Sequence, residues 1–143
     1  MTQQVSVFLE NKPGHLEQVT AVLKAHQVSI RAMTLSTSSA GWGILNLLVD
    51  QPASACKQLC HAGHSAALRE IVVVEMNDHP GGLHEVLSLL SAAGMNVQNA
   101  YGTVLREKKN AILVIDVENI QRTEELLAKS GVKTLSTEEV YTL

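Results

Sequence analysis

The 143-residue chain carries 11 Lys+Arg against 14 Asp+Glu, a net charge of −3 and a pI near 6.0, with 45% hydrophobic but only 3% aromatic residues. That balance belongs to a globular rather than a disordered chain. With few cations to neutralise phosphates and few rings to stack bases, it argues against a nucleic-acid partner.

No apolar run approaches the roughly 20 residues that span a bilayer, so no membrane partner is expected. The first residues, Met1 to Val5, have neither a basic n-region nor an apolar h-region. The only cysteines, Cys56 and Cys60, lie in one short segment and cannot frame a disulfide scaffold. A reduced, cytoplasmic chain is the expectation.

Along the chain, Val5, Val7 and Leu9 alternate with other residues, the period of a strand with one buried face. Asn11-Lys12-Pro13-Gly14 then reads as a helix start, with the proline suited to the first turn and Asn11 able to accept a free amide. Leu16, Val19, Val22 and Leu23 follow at helical spacing, with Gln27 a weak stop. A looser strand over 28–36, a turn at Ser38-Ser39-Ala40-Gly41 and an apolar strand over 44–49 suggest a hairpin. Asp50-Gln51-Pro52 opens a second helix running to about Ala62 and stopped by Gly63, before a last extended segment.

From Val72 the pattern repeats. Val5 and Val7 fall on Val72 and Val74, Pro13-Gly14 on Pro80-Gly81, and Leu16, Val19, Leu23 and Ala25 on Leu83, Val86, Leu90 and Ala92. The second copy adds Asp78 before its Pro-Gly, Gly94 after its first helix and a strand over 95–105. A turn at Glu107-Lys108-Lys109-Asn110, a strand over 111–115, and a helix from Glu118-Asn119 to Lys129 before Gly131 complete it. Two modules are expected, 1–68 and 69–143, each ordered strand-helix-strand-strand-helix-strand. That is the α+β, ferredoxin-like βαββαβ arrangement, an antiparallel sheet with both helices on one face. The stretch 65–77 has to end one copy and begin the next, so fused or tightly packed sheets are expected.

These residues resemble the ACT domain, a small regulatory module attached to many enzymes of amino-acid metabolism. The resemblance rests on the twice-used strand-(N/D)-x-P-G-x-L-helix opening and on the passages Ala25–Arg31 and Ala92–Gln98. It covers the whole chain twice and is nearest to free-standing tandem ACT proteins without a catalytic domain. It implies that modules pair, giving a homodimer, and that a small ligand, usually an amino acid, binds where modules meet. It also implies that ligand status is reported to a regulated enzyme or regulator.

The loops support such binding on their own physics. The first amides of a helix have no intrahelical partner and lie at the positive end of its dipole, which suits a carboxylate. The candidates are Asn11, Lys12, Pro13, Gly14, His15 and Leu16 in the first copy, and Asn77, Asp78, His79, Pro80, Gly81, Gly82 and Leu83 in the second. Asn11, Asp78, Asn96 and Asn99 could accept from a ligand ammonium. Ile30, Met33 and Thr34, with Val97, Asn99 and Tyr101, would line the far side. The copies differ, since His15 stands where the second has Gly82 and Lys12 where it has His79.

Two rival functions compete with this reading. Cys56, Cys60 and His64, with His61 alongside, have the residue types of a zinc, copper or nickel site, although Gly63 is expected to end the helix before His64. A structural adaptor without ligand is the other. No nucleophile elbow, P-loop or His-Glu-x-x-His motif occurs, so neither catalysis nor a cofactor is expected.

Overall fold

The computed structural model describes residues 1–105 and 110–143. The turn expected at Glu107-Lys108-Lys109 lies outside the described residues. The chain divides into two compact units, one of 3–69 with 141–143 and the other of 1–2 with 70–140.

The first unit holds β1 (Gln3–Glu10), α1 (His15–Ala25), β2 (Ile30–Thr37), β3 (Trp42–Val49), α2 (Pro52–His61) and β4 (Ser65–Glu70). Its sheet runs β2-β3-β1-β4, with β3 antiparallel to both β1 and β2. Register sets Val5 opposite Leu47 and Val7 opposite Leu45, so the alternating apolar residues of both strands share one face. Val19 and Leu23 of α1 and Ala55 and Leu59 of α2 close over that face. Each fully buried Val or Leu of this kind contributes roughly 1.5–3 kcal/mol.

The second unit repeats the plan with β5 (Val72–Asn77), α3 (Gly82–Ala92), β6 (Val97–Val104), β7 (Asn110–Val117) and α4 (Ile120–Lys129). The strand order is β5-β7-β6, and Val72, Val74, Leu113 and Ile115 meet Val86, Leu90 and Leu127 in its core. As the sequence suggests, α4 starts at a side-chain cap, with the Arg122 amide donating to Asn119 Oδ1 at 2.9 Å.

Two expectations are corrected. The closing strand of the second copy shrinks to a short ladder beside β5, where Glu75 N–H donates to Lys133 O at 2.9 Å and Leu135 N–H to Val73 O at 2.8 Å. It stops because Ser136 caps a new helix, α5 (Thr137–Tyr141), its hydroxyl accepting from the Glu139 amide at 3.2 Å. Nor do the sheets fuse: β4 and β5, separated only by the buried Ile71, belong to two separately hydrogen-bonded sheets.

The helix openings are also built differently from the expected proline-first turn. Gly14 and Gly81 are the N-caps, at φ 88° and 92°, and the helices begin one residue later. Neither helix has a side-chain cap, so Asn11 and Asp78 do not serve as one. Instead His15 N–H donates to Lys12 O at 3.3 Å and Gly82 N–H to His79 O at 3.1 Å. With proline second and a left-handed glycine third, both segments are type II turns, the one place where a Pro-Gly pair meets both backbone demands.

At the other end, α1 to α4 all finish alike. A left-handed residue (Gln27, Gly63, Gly94 or Gly131) follows the helix, and the next amide reaches back to Leu23, Leu59, Leu90 or Leu127 at 2.9 Å. Three are glycine; Gln27, at φ 54°, carries the strain of a side chain there. Gln27→Gly is expected to stabilise the chain by about 0.5–1 kcal/mol, read as a rise in Tm. Gly82→Ala is expected to cost about 1–3 kcal/mol, because a Cβ would strike the Asn77 carbonyl oxygen. Thermal melting of the two variants beside the parent checks both signs.

Candidate functional site

The type II turns leave polar backbone exposed. Gln18 N–H is the first in α1 to find a helical acceptor, Gly14 O at 3.0 Å, and Glu85 N–H reaches Gly81 O at 3.0 Å in α3. Among the described residues, the amides of Gly14, Leu16 and Glu17 donate to no protein acceptor, nor do those of Gly81, Leu83 and His84. The first turn is held in place by Asn11 N–H donating to Gly41 O at 2.8 Å. Lys12 pairs with Glu10 at 2.7 Å, which pulls the Glu10 carboxyl below its ordinary value and raises the Lys12 ammonium. Both side chains are solvent-exposed, so this pair positions the loop more than it stabilises it.

A cleft of about 450 Å³ adjoins the first opening, and one of about 390 Å³ adjoins the second. Each lies within its own unit, and they occupy the same place in the repeat. Register shows it, with Leu9 opposite Gly43 in one sheet and Met76 opposite Ala111 in the other.

Their walls differ. The first cleft has Phe8 and Trp42, whose rings stack with centroids 4.8 Å apart and planes 7° apart, and which remain 49% and 42% exposed. His15 and Gln18 of α1 and His64, after α2, complete its polar side. In the second cleft Glu75 and Asn110 replace the rings, Gly82 and Glu85 replace His15 and Gln18, and Val132 and Lys133 replace His64 and Ser65. There Asn110 Nδ2 donates to Glu75 Oε1 at 3.0 Å, and Lys133 Nζ lies 3.3 Å from Glu75 and 3.4 Å from Glu139. The hydrogen bond to Glu75 is the main cause of the raised Lys133 pKa.

Of the residues singled out by sequence, His15 and Asn77 with Gly82 line the clefts, while Asn11 to Gly14 and Asp78 to Gly81 form the adjoining turns. Leu16 is half-buried against the first core, and Leu83 is exposed. His79 Nδ1–H donates to the Pro80 carbonyl at 2.9 Å, tying it to its own loop.

The remaining candidates lie apart from the openings of their own modules. Ile30, Met33 and Thr34 are on β2, which β3 separates from β1; Ile30 pairs with Val49, toward the far end of the sheet. Asn96 lines a separate cavity of about 120 Å³ near the start of α4. Val97, Asn99 and Tyr101 follow on β6, across β7 from β5. Burial first, then the nearby Asp116 charge, pushes the Tyr101 phenol far above its ordinary value.

The cysteine segment resolves into a helix face. Cys56 packs against the first core, and burial raises its thiol pKa; Cys60 Sγ–H donates to Ala66 O at 3.4 Å. The helix ends before His64, which turns up in the cleft. Among the described residues no group of three His, Cys, Asp or Glu side chains could hold a metal ion.

Phe8, Trp42 and Gln18 were not singled out as cleft residues by sequence reasoning. One signal was available: a large ring at Phe8 on the outward side of an alternating strand, where the repeat has Glu75.

A search of curated proteins returns no match. Among solved structures, the chain is similar to a protein from Bacteroides thetaiotaomicron at 31% identity and TM-score 0.92, covering 99% of this chain and 96% of that one. It shares its fold with the ligand-free regulatory subunit of aspartate kinase from Thermus thermophilus, at 14% identity and TM-score 0.66, covering 89% and 90%. The corresponding Thermus flavus subunit gives 15% identity and TM-score 0.60, covering 90% and 92%. All of residues 1–143 match the family model described as an ACT domain pair, and the chain belongs to that family.

Proposed function

We propose that the chain is a non-catalytic regulatory protein of the cytoplasm that binds a small L-amino acid at its strand-to-helix openings. The observation that carries this reading is the set of unpaired amides at Gly14, Leu16 and Glu17, beside a cleft large enough for such a ligand. A carboxylate accepts from these donors and is favoured by the helix dipole. The ligand ammonium finds acceptors in the turn carbonyls and the Asn11 side chain. The fold shared with a regulatory subunit of aspartate kinase supports a regulatory rather than a catalytic role. In the full reading a neighbouring module completes the pocket within a homodimer, with Ile30 and Met33, or Asn99 and Tyr101, on its far wall. Ligand binding then shifts how modules pair, by no more than its differential affinity for the two arrangements, and a partner enzyme or regulator senses the change.

Thermal melting in the presence of each of the twenty L-amino acids tests this function. At least one should raise Tm, since a ligand at a hundred times its Kd adds about 2.7 kcal/mol. The corresponding D-amino acid should do less. A Tm unmoved by all twenty contradicts the proposal.

A further inference from the structure

We infer that the two equivalent clefts have parted in function: the first-module cleft takes a planar aromatic carboxylate, and the second is closed to anions by its own side chains. This rests on the reading above and names the ligand class of the first opening.

The aromatic pair is the first ground. Phe8 and Trp42 stack in parallel yet stay nearly half exposed at the cleft. Covering large rings is a main source of apolar burial, and ring-on-ring contact adds about 0.5–1.5 kcal/mol beyond the area. A flat ligand ring recovers both, whereas an aliphatic side chain recovers only part of the area.

Charge is the second ground. The donors His15, His64 and Gln18 line the first cleft, and its one acid, Glu10, is already paired with Lys12. The second cleft has two acids, Glu75 and Glu85, and its cation Lys133 is held between Glu75 and Glu139. Among the described residues, a carboxylate arriving there meets like charge and no unengaged ammonium. The exchanges that remove the rings are thus accompanied by others that remove the side-chain donors and add carboxylates beside the second opening's amides.

Trp42 is the only tryptophan, so its emission reports the first cleft alone. The full chain would be titrated with L-phenylalanine, phenylacetate, phenethylamine and L-leucine, in the parent and in two variants. Phe8→Glu and His64→Val each install a residue of the opposite cleft, and circular dichroism would verify folding.

L-Phenylalanine and phenylacetate should change Trp42 emission saturably, while phenethylamine, lacking the carboxylate, and L-leucine, lacking the ring, should not. Each variant should weaken binding about tenfold, read by calorimetry. A response to L-leucine equal to that of L-phenylalanine overturns the inference, as does unaltered affinity in a folded Phe8→Glu protein. Stabilisation by an aliphatic amino acid with Trp42 emission unchanged overturns it too, but leaves the amino-acid-binding function standing. If no amino acid binds at all, both fall.

Discussion

The Pro-Gly turn at the end of each module's first strand is the constraint on which the rest depends. Proline fixes one backbone angle and removes a donor; glycine supplies the left-handed residue that follows; together they bend strand into helix within four residues. Because the cap is a glycine without a side chain, the second and third amides of each helix, Leu16 and Glu17 or Leu83 and His84, find no acceptor among the described residues. A side-chain cap would occupy one of those donors, as Asn119 does the Arg122 amide in α4. The same turn that builds the fold therefore keeps a helix terminus open.

Duplication places that opening twice in one chain, and the two copies have not stayed alike. The framework is common to both: the apolar face of the sheet, the two helices over it, and the left-handed residue after each helix. Change is concentrated where the framework imposes little, on the outward side of β1 and β5 and at the loop after the second helix. There a ring pair in one copy corresponds to an Asn–Glu hydrogen bond in the other, and a serine corresponds to a lysine held by two carboxylates. Neither exchange disturbs a core residue, so stability places little demand on these positions and ligand chemistry can shape them.

Much of the fold was legible because its determinants are local. Alternation in Val5-Val7-Leu9 and Val72-Val74-Met76, helical spacing after each Pro-Gly, and the stops at Gly63, Gly94 and Gly131 all act within a few residues. The role of the Pro-Gly pair was less legible, since a proline inside a helix and a proline ahead of a glycine cap leave the same letters. The last ladder was cut short by Ser136 and Glu139, a capping pattern that outweighs the strand propensity before it. The candidate site was legible only in part. His15 and the turn residues follow from sequence neighbourhood, but Phe8 meets Trp42 diagonally across β1 and β3, and His64 arrives from the end of α2. Those meetings depend on strand register and on tertiary packing, which no short window of residues contains.

The central claim, that unpaired helix-start amides hold the carboxylate of an amino acid, is tested most directly by amide NMR during titration with the amino acid that raises Tm. The account predicts that the signals of Gly14, Leu16 and Glu17 move first and furthest, as a new acceptor takes their protons. Saturable binding that leaves those three signals in place, while perturbing residues elsewhere in the chain, would contradict it.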